Sequence, residues 1–114
     1  MESVAYDKEL AARIRALLPK DAVVSEQAMF GRLAFLVSGN MAIAASGQGG
    51  VMVRVDPAVS EQLVAKTTAV PMEMRGRPMR GWLRVSADEV GTKGQLAKWV
   101  HLGVDYASSL PSKT

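Results

Sequence analysis

Apolar side chains at Tyr6, Leu10, Ile14, Leu17 and Leu18 recur every three or four positions, with Asp7, Lys8, Arg13 and Arg15 between them. That period predicts an amphipathic helix over residues 4–18, stopped by Pro19. From Val23 the period changes. Residues 23–30, 32–37, 41–45 and 51–55 are rich in Val, Phe and alternating positions and predict four strands. Gly39-Asn40 separates two apolar runs at the length of a two-residue hairpin turn, and residues 46–50 form a looser turn. Consecutive short turns imply an antiparallel meander.

Asp56-Pro57 predicts a second helix, because Asp accepts from free N–H groups and Pro suits the first helical turn. Val59, Leu63 and Val64 supply its short apolar face, up to about Lys66. Residues 79–85 read as a fifth strand and 86–91 as a loop. Thr92 with Gln95 has capping-box spacing. Leu96, Trp99, Val100, Val104, Ala107 and Leu110 then form one stripe, with Gly103 on the same face, ending before Pro111. The order α-β-β-β-β-α-β-α predicts an α+β, two-layer domain with an antiparallel sheet of about five strands and helices mainly on one face. Phe30, Leu33, Phe35, Met41 and Met52 exceed what one helix layer would use, which predicts a homodimer through the other face.

The length of 114 residues suits a single domain, 1–114, with a short frayed tail at 111–114. The absence of cysteine excludes disulfides, thiolate catalysis and thiolate metal sites, and fits a reducing cytoplasm. No signal-like or membrane-spanning apolar run is present, so no membrane association is expected. Two Trp, two Tyr and two Phe are too few for large base-stacking platforms.

Charge changes the picture at one place. Residues 72–84 hold Arg75, Arg77, Arg80 and Arg84 against the single acid Glu73, a local excess that equals the formal net charge of the whole chain, +3. Guanidinium forks at these positions suit phosphates or an acidic protein surface. The plainer reading is a solvated face partly paired with Glu73, Asp88 or Glu89. Alternation along the strand puts Met79, Gly81 and Leu83 on one side and Arg80, Trp82 and Arg84 on the other, which sets Trp82 among arginines and permits cation–π stacking. Met72, Met74 and Met79 read as gap-filling core residues ahead of a binding groove.

No catalytic constellation stands out. His101, the only histidine, reads as a surface side chain without the partners a zinc site needs. The glycine clusters lack the lysine and helix start of a nucleotide cradle, and no serine lies in a Gly-x-Ser-x-Gly setting. The chain therefore reads as non-enzymatic, with no catalytic residues, cofactor or metal.

Four motifs carry a family resemblance: Met29-Phe30-Gly31, the Gly39-Asn40 hairpin, the strand end Arg54-Val55-Asp56, and Pro78-Met79-Arg80-Gly81-Trp82. In this order and spacing, over nearly the whole chain, the sequence resembles the TfoX N-terminal domain family, in its stand-alone form without the family's C-terminal domain. The resemblance implies a two-layer α+β fold similar to secretion-chaperone-like proteins. It also implies a role like that of a competence regulator, in transcription regulation with promoter-bound machinery. The function expected is a cytoplasmic regulatory domain acting through protein contacts, with Arg75, Arg77, Arg80, Trp82 and Arg84 as the contact surface. Direct nucleic-acid binding through residues 75–84 is the alternative, and a small-ligand or enzymatic role stands third.

Overall fold

The computed structural model describes residues 7–29, 31–46 and 50–112. Its elements are α1 (Lys8–Leu17), β1 (Val24–Met29), β2 (Arg32–Val37), β3 (Asn40–Ser46), β4 (Val51–Arg54), α2 (Pro57–Lys66), β5 (Val70–Met74), β6 (Arg77–Val85), a 3-10 turn (Ala87–Glu89) and α3 (Lys93–Ser109). Tyr6, Phe30 and most of the 46–50 turn lie outside the described residues. The caps read from sequence at Asp56 and Thr92 are present: Asp56 Oδ1 accepts from Ala58 N at 2.9 Å, and Thr92 and Gln95 form a reciprocal capping box. The first helix starts at Lys8 although the period placed Asp7 inside it, because Asp7 is extended and caps the helix, its Oδ1 accepting from Leu10 N at 3.1 Å.

All strands join one antiparallel sheet in the order β1-β2-β3-β4-β6-β5. The sheet has six strands where about five were expected, because β5 precedes β6 as its hairpin partner. The sequence reading assigns no strand to residues 70–74, and Pro71 is accommodated because β5 is an edge strand, where a missing N–H costs no ladder bond. The β2–β3 turn is also displaced by one residue from its expected position. Ser38 and Gly39 form it, both at positive φ (50° and 83°), and Asn40 starts β3. Asn40 is needed elsewhere: it is buried, and its Nδ2 donates to the Pro111 carbonyl at 2.9 Å, tying the end of the chain to the sheet.

One face of the sheet carries the core. Leu33, Phe35, Val37, Ile43, Ala45, Val51, Val53, Leu83 and Val85 bury against Leu10 and Ile14 of α1 and Leu96, Trp99, Val100, Val104 and Ala107 of α3, with Leu63 and Val64 of α2 packed at the margin. Burying each large side chain contributes about 1.5–3 kcal/mol, so this layer dominates the fold's stability. A bulge lets α3 approach. Between the pairs Phe35↔Ile43 and Leu36↔Met41, Ala42 is an extra residue, and Gly103 sits directly on its carbonyl, where a Cβ would collide.

A second, longer irregularity lies at the β5–β6 pair, whose register passes from Pro71↔Leu83 to Met72↔Met79. Gly81 occupies this bulge at φ 85°. Its carbonyl accepts from Val55 N at 2.7 Å, and a Cβ there would stand 2.8 Å from Val55 O. Glycine is required by both φ and space. At the opposite edge, Arg15 of α1 grips Glu26 of β1 with two bonds of 2.6 and 2.8 Å. The Arg15 hydrogen bond holds the Glu26 carboxyl below its ordinary value, against a weaker opposing effect of desolvation.

Candidate functional site

The positions that alternate with the core residues of β2, β4 and β6 form the sheet's second face, which Tyr106 of α3 reaches at its Arg54 end. One row runs across it through the register pairs Ala34↔Ala44, Ala44↔Met52, Met52↔Arg84 and Arg84↔Val70. Ala34 and Ala44 are 1% and 0% exposed although they lie outside the helix-covered core. Arg32 of β2 lines the same groove as Val70, Pro71, Met72 and Glu73 of β5, although three strands separate β2 from β5 in the sheet.

The next row holds the most ordered group of this face. Arg54 and Trp82 are directly opposed on β4 and β6. The guanidinium carbon of Arg54 lies 5.1 Å from the centroid of Trp82 and 5.5 Å from that of Tyr106 on α3, so two rings hold one planar cation. Both Arg54 and Trp82 are partly buried. Arg54 donates to no acceptor among the described residues, which leaves its N–H edge available to an anion.

The five residues singled out from sequence do not form one patch. Arg75 and Arg77 stand at the tip of the β5–β6 hairpin, where Arg75 and Gly76 make the turn at φ 55° and 79°. Arg80, in the bulge, lines a separate groove with Ser60, Glu61 and Val64 of α2, on the helix side. Only Trp82 and Arg84 share the second face. The expected alternation holds from Gly81 to Val85 and fails for Arg80, because the bulge rotates the strand there. The cation over Trp82 is accordingly Arg54, a cross-strand neighbour. None of Arg75, Arg77, Arg80 and Arg84 pairs with Glu73, Asp88 or Glu89 among the described residues, and Glu89 accepts instead from Thr68 Oγ1 at 2.9 Å.

Met72 and Met79 are cross-strand partners and partly buried, and the side chain of Met74 lies outside the described residues. Trp99 is fully buried and His101 exposed. Among the described residues no group of three His, Cys, Asp or Glu gathers as a metal site, and no helix is long and apolar enough to cross a membrane. The apolar surplus that suggested a dimer divides in two. Leu33 and Phe35 belong to the core under the helices, whereas Met41 and Met52 are half-buried.

Arg32, Arg54 and Tyr106 were not legible as site residues. Arg54 read as a strand end, and Tyr106 was not singled out. The pairing of Arg54 with Trp82 depends on β4 lying next to β6, a non-consecutive neighbour.

A six-stranded antiparallel sheet with three helices, its core on one face and arginine, methionine and tryptophan on the other, defines an α+β module. Residues 17–107, about four-fifths of the chain, match the sequence profile of the TfoX N-terminal domain. The chain belongs to that family. Searches of curated proteins and of solved structures gave no significant match.

Proposed function

We propose that this domain is a non-catalytic regulatory module that works in the cytoplasm through protein contacts, including contacts with the transcription machinery, and that its contact surface centres on Arg54 and Trp82. The observation that supports this reading is the composition of the second face. It presents arginine, tryptophan and methionine and no lysine among its described strand residues, the bias of interface cores rather than of general solvated surface. An arginine held by two rings has lost little further freedom to lose on binding, so its bonds to a carboxylate are gained at low entropic cost. A partner with acidic side chains complements Arg32, Arg54 and Arg84. A second copy of the chain is a poorer occupant, since a two-fold pairing would set these cations near their equivalents.

The test is affinity capture with the wild type, an Arg54→Ala/Trp82→Ala variant and an Arg75→Ala/Arg77→Ala variant, each first shown to be folded. Partners lost from the first variant and kept by the second support the reading, and an identical set from all three overturns it. A second reading has its own observation: Arg75 and Arg77 are exposed at the tip of a two-stranded ribbon, a shape that enters a nucleic-acid groove. Anisotropy titrations with duplex DNA and with RNA at two salt concentrations decide it. A steep loss of binding with salt that depends on Arg75 and Arg77 establishes this use, and no binding at low salt removes it.

A further inference from the structure

The groove between β2 and β5 brings together two arginines that form no ion pair among the described residues. It measures about 600 Å³ and is lined by Arg32, Val70, Pro71, Met72, Glu73 and Arg84. Arg32 is half-buried and Arg84 exposed, and neither donates to an acceptor among the described residues. Beside them lies apolar surface. Val70 is 49% exposed, one of two large hydrophobic residues so open to water among the described residues, and Pro71 and Met72 continue its surface.

We propose that this groove binds a small amphipathic carboxylic acid, its carboxylate held by Arg32 and Arg84 and its apolar body resting on Val70, Pro71 and Met72. Three features select that chemistry. The two arginines and Glu73 leave one net positive charge, which matches a monoanion, whereas a phosphate dianion would meet Glu73 with charge to spare. Planar guanidinium forks fit a carboxylate with two bonds each. The volume falls within the range of about 300–1,000 Å³ typical of small-molecule sites. The site adjoins the Arg54–Trp82 face, since Arg84 lies two residues along β6 from Trp82, so a bound acid would change the charge that face presents. This inference does not require the protein-contact reading, because ligand binding is measured on the isolated chain.

The experiment is calorimetric titration of the whole chain with octanoate, octyl glucoside and inorganic phosphate, all below micellar concentrations, followed by proton–nitrogen spectra of the arginine Nε–H groups. Octanoate is expected to saturate one site and to shift the Arg32 and Arg84 signals. Octyl glucoside has the chain without the charge and phosphate the charge without the chain, and each should bind at least about ten-fold more weakly. Arg32→Gln and Arg84→Gln should each weaken octanoate by about ten-fold, and Arg77→Gln at the hairpin tip should leave it unchanged. Arg84 is exposed, so its replacement keeps the test valid if the Arg32 variant folds poorly. No binding of octanoate at millimolar concentration, equal binding of octyl glucoside or phosphate, or an equal loss on Arg77→Gln overturns the proposal.

Discussion

Arg54 and Trp82 face one another across the β4–β6 ladder with the guanidinium carbon 5.1 Å from the ring centroid, and Tyr106 holds the same cation from α3 at 5.5 Å. The contact links the sheet's second face to the last helix. A cation–π pair of this partly buried kind contributes about 0.5–1 kcal/mol. A double-mutant cycle of Arg54→Met and Trp82→Leu, read by urea unfolding, should give a stabilising coupling of about that size. A coupling near zero would mean that the two side chains are merely adjacent. Arg54→Lys should lose part of it, because an ammonium cannot stack flat on the ring.

Glycine-to-alanine changes in α3 should differ in sign according to what a Cβ meets. At Gly94 it meets nothing within 4 Å, whereas at Gly103 it runs into the Ala42 carbonyl. Gly94→Ala should therefore stabilise by up to about 1 kcal/mol through helix propensity. Gly103→Ala should destabilise by about 1–3 kcal/mol, overpacking outweighing the same propensity gain. Thermal unfolding of both variants checks the contrast, and a raised midpoint for Gly103→Ala would refute the close packing of α3 on the β3 bulge.

At Gly81 the positive φ of 85° and the 2.8 Å approach to Val55 O act together. Gly81→Ala is expected to cost about 2 kcal/mol or more, since backbone strain adds to the steric clash. The variant should also disturb Arg80 and Trp82, which flank it. Unfolding midpoint and Trp82 fluorescence report the two effects, and wild-type values for both would show that the bulge tolerates a side chain.

Arg75 is a non-glycine residue in the left-handed region, at φ 55°, in a turn whose two residues both have positive φ. Asn tolerates that conformation better and favours this hairpin turn ahead of glycine. Arg75→Asn should raise stability by about 0.5 kcal/mol. An unchanged or lower midpoint would count against the assigned turn geometry.

Glu26 supplies a pH signature. Arg15 lowers its folded-state pKa below the reference 4.5, so the stabilisation is present above the unfolded value and fades as pH falls through the folded one. The pair is solvent-accessible, with side chains 51% and 36% exposed, and its contribution is limited to about 0.5 kcal/mol. Glu26→Gln should thus be slightly less stable at neutral pH, and the gap should close in acid. A gap that persists at the lowest pH at which both fold would assign the loss to packing.

Much of the fold was legible in the chain because its signals are local. Asp56 and the Thr92–Gln95 pair cap helices through neighbours two or three residues away, and the α3 stripe records its own buried face. β5 was not legible in the same way: Pro71 is a strand breaker except at an edge, and only the assembled sheet reveals which strand is the edge. The hairpin turn slipped by one residue for a similar reason: Gly39-Asn40 and Ser38-Gly39 are both acceptable turns, and the bond from Asn40 to Pro111, 71 residues on, belongs to the native arrangement alone.

The sequence by itself determined every α-helix and strand but β5, the α+β class, the family and the concentration of arginine between residues 72 and 84. The tertiary structure decided where those arginines go. It sent Arg75 and Arg77 to a hairpin tip, turned Arg80 toward α2 through a glycine bulge, and put Trp82 against Arg54 and Arg84 in a groove with Arg32. Periodicity and caps act within a few residues, whereas cross-strand neighbours are set by strand order and bulges, which depend on contacts distant in the chain.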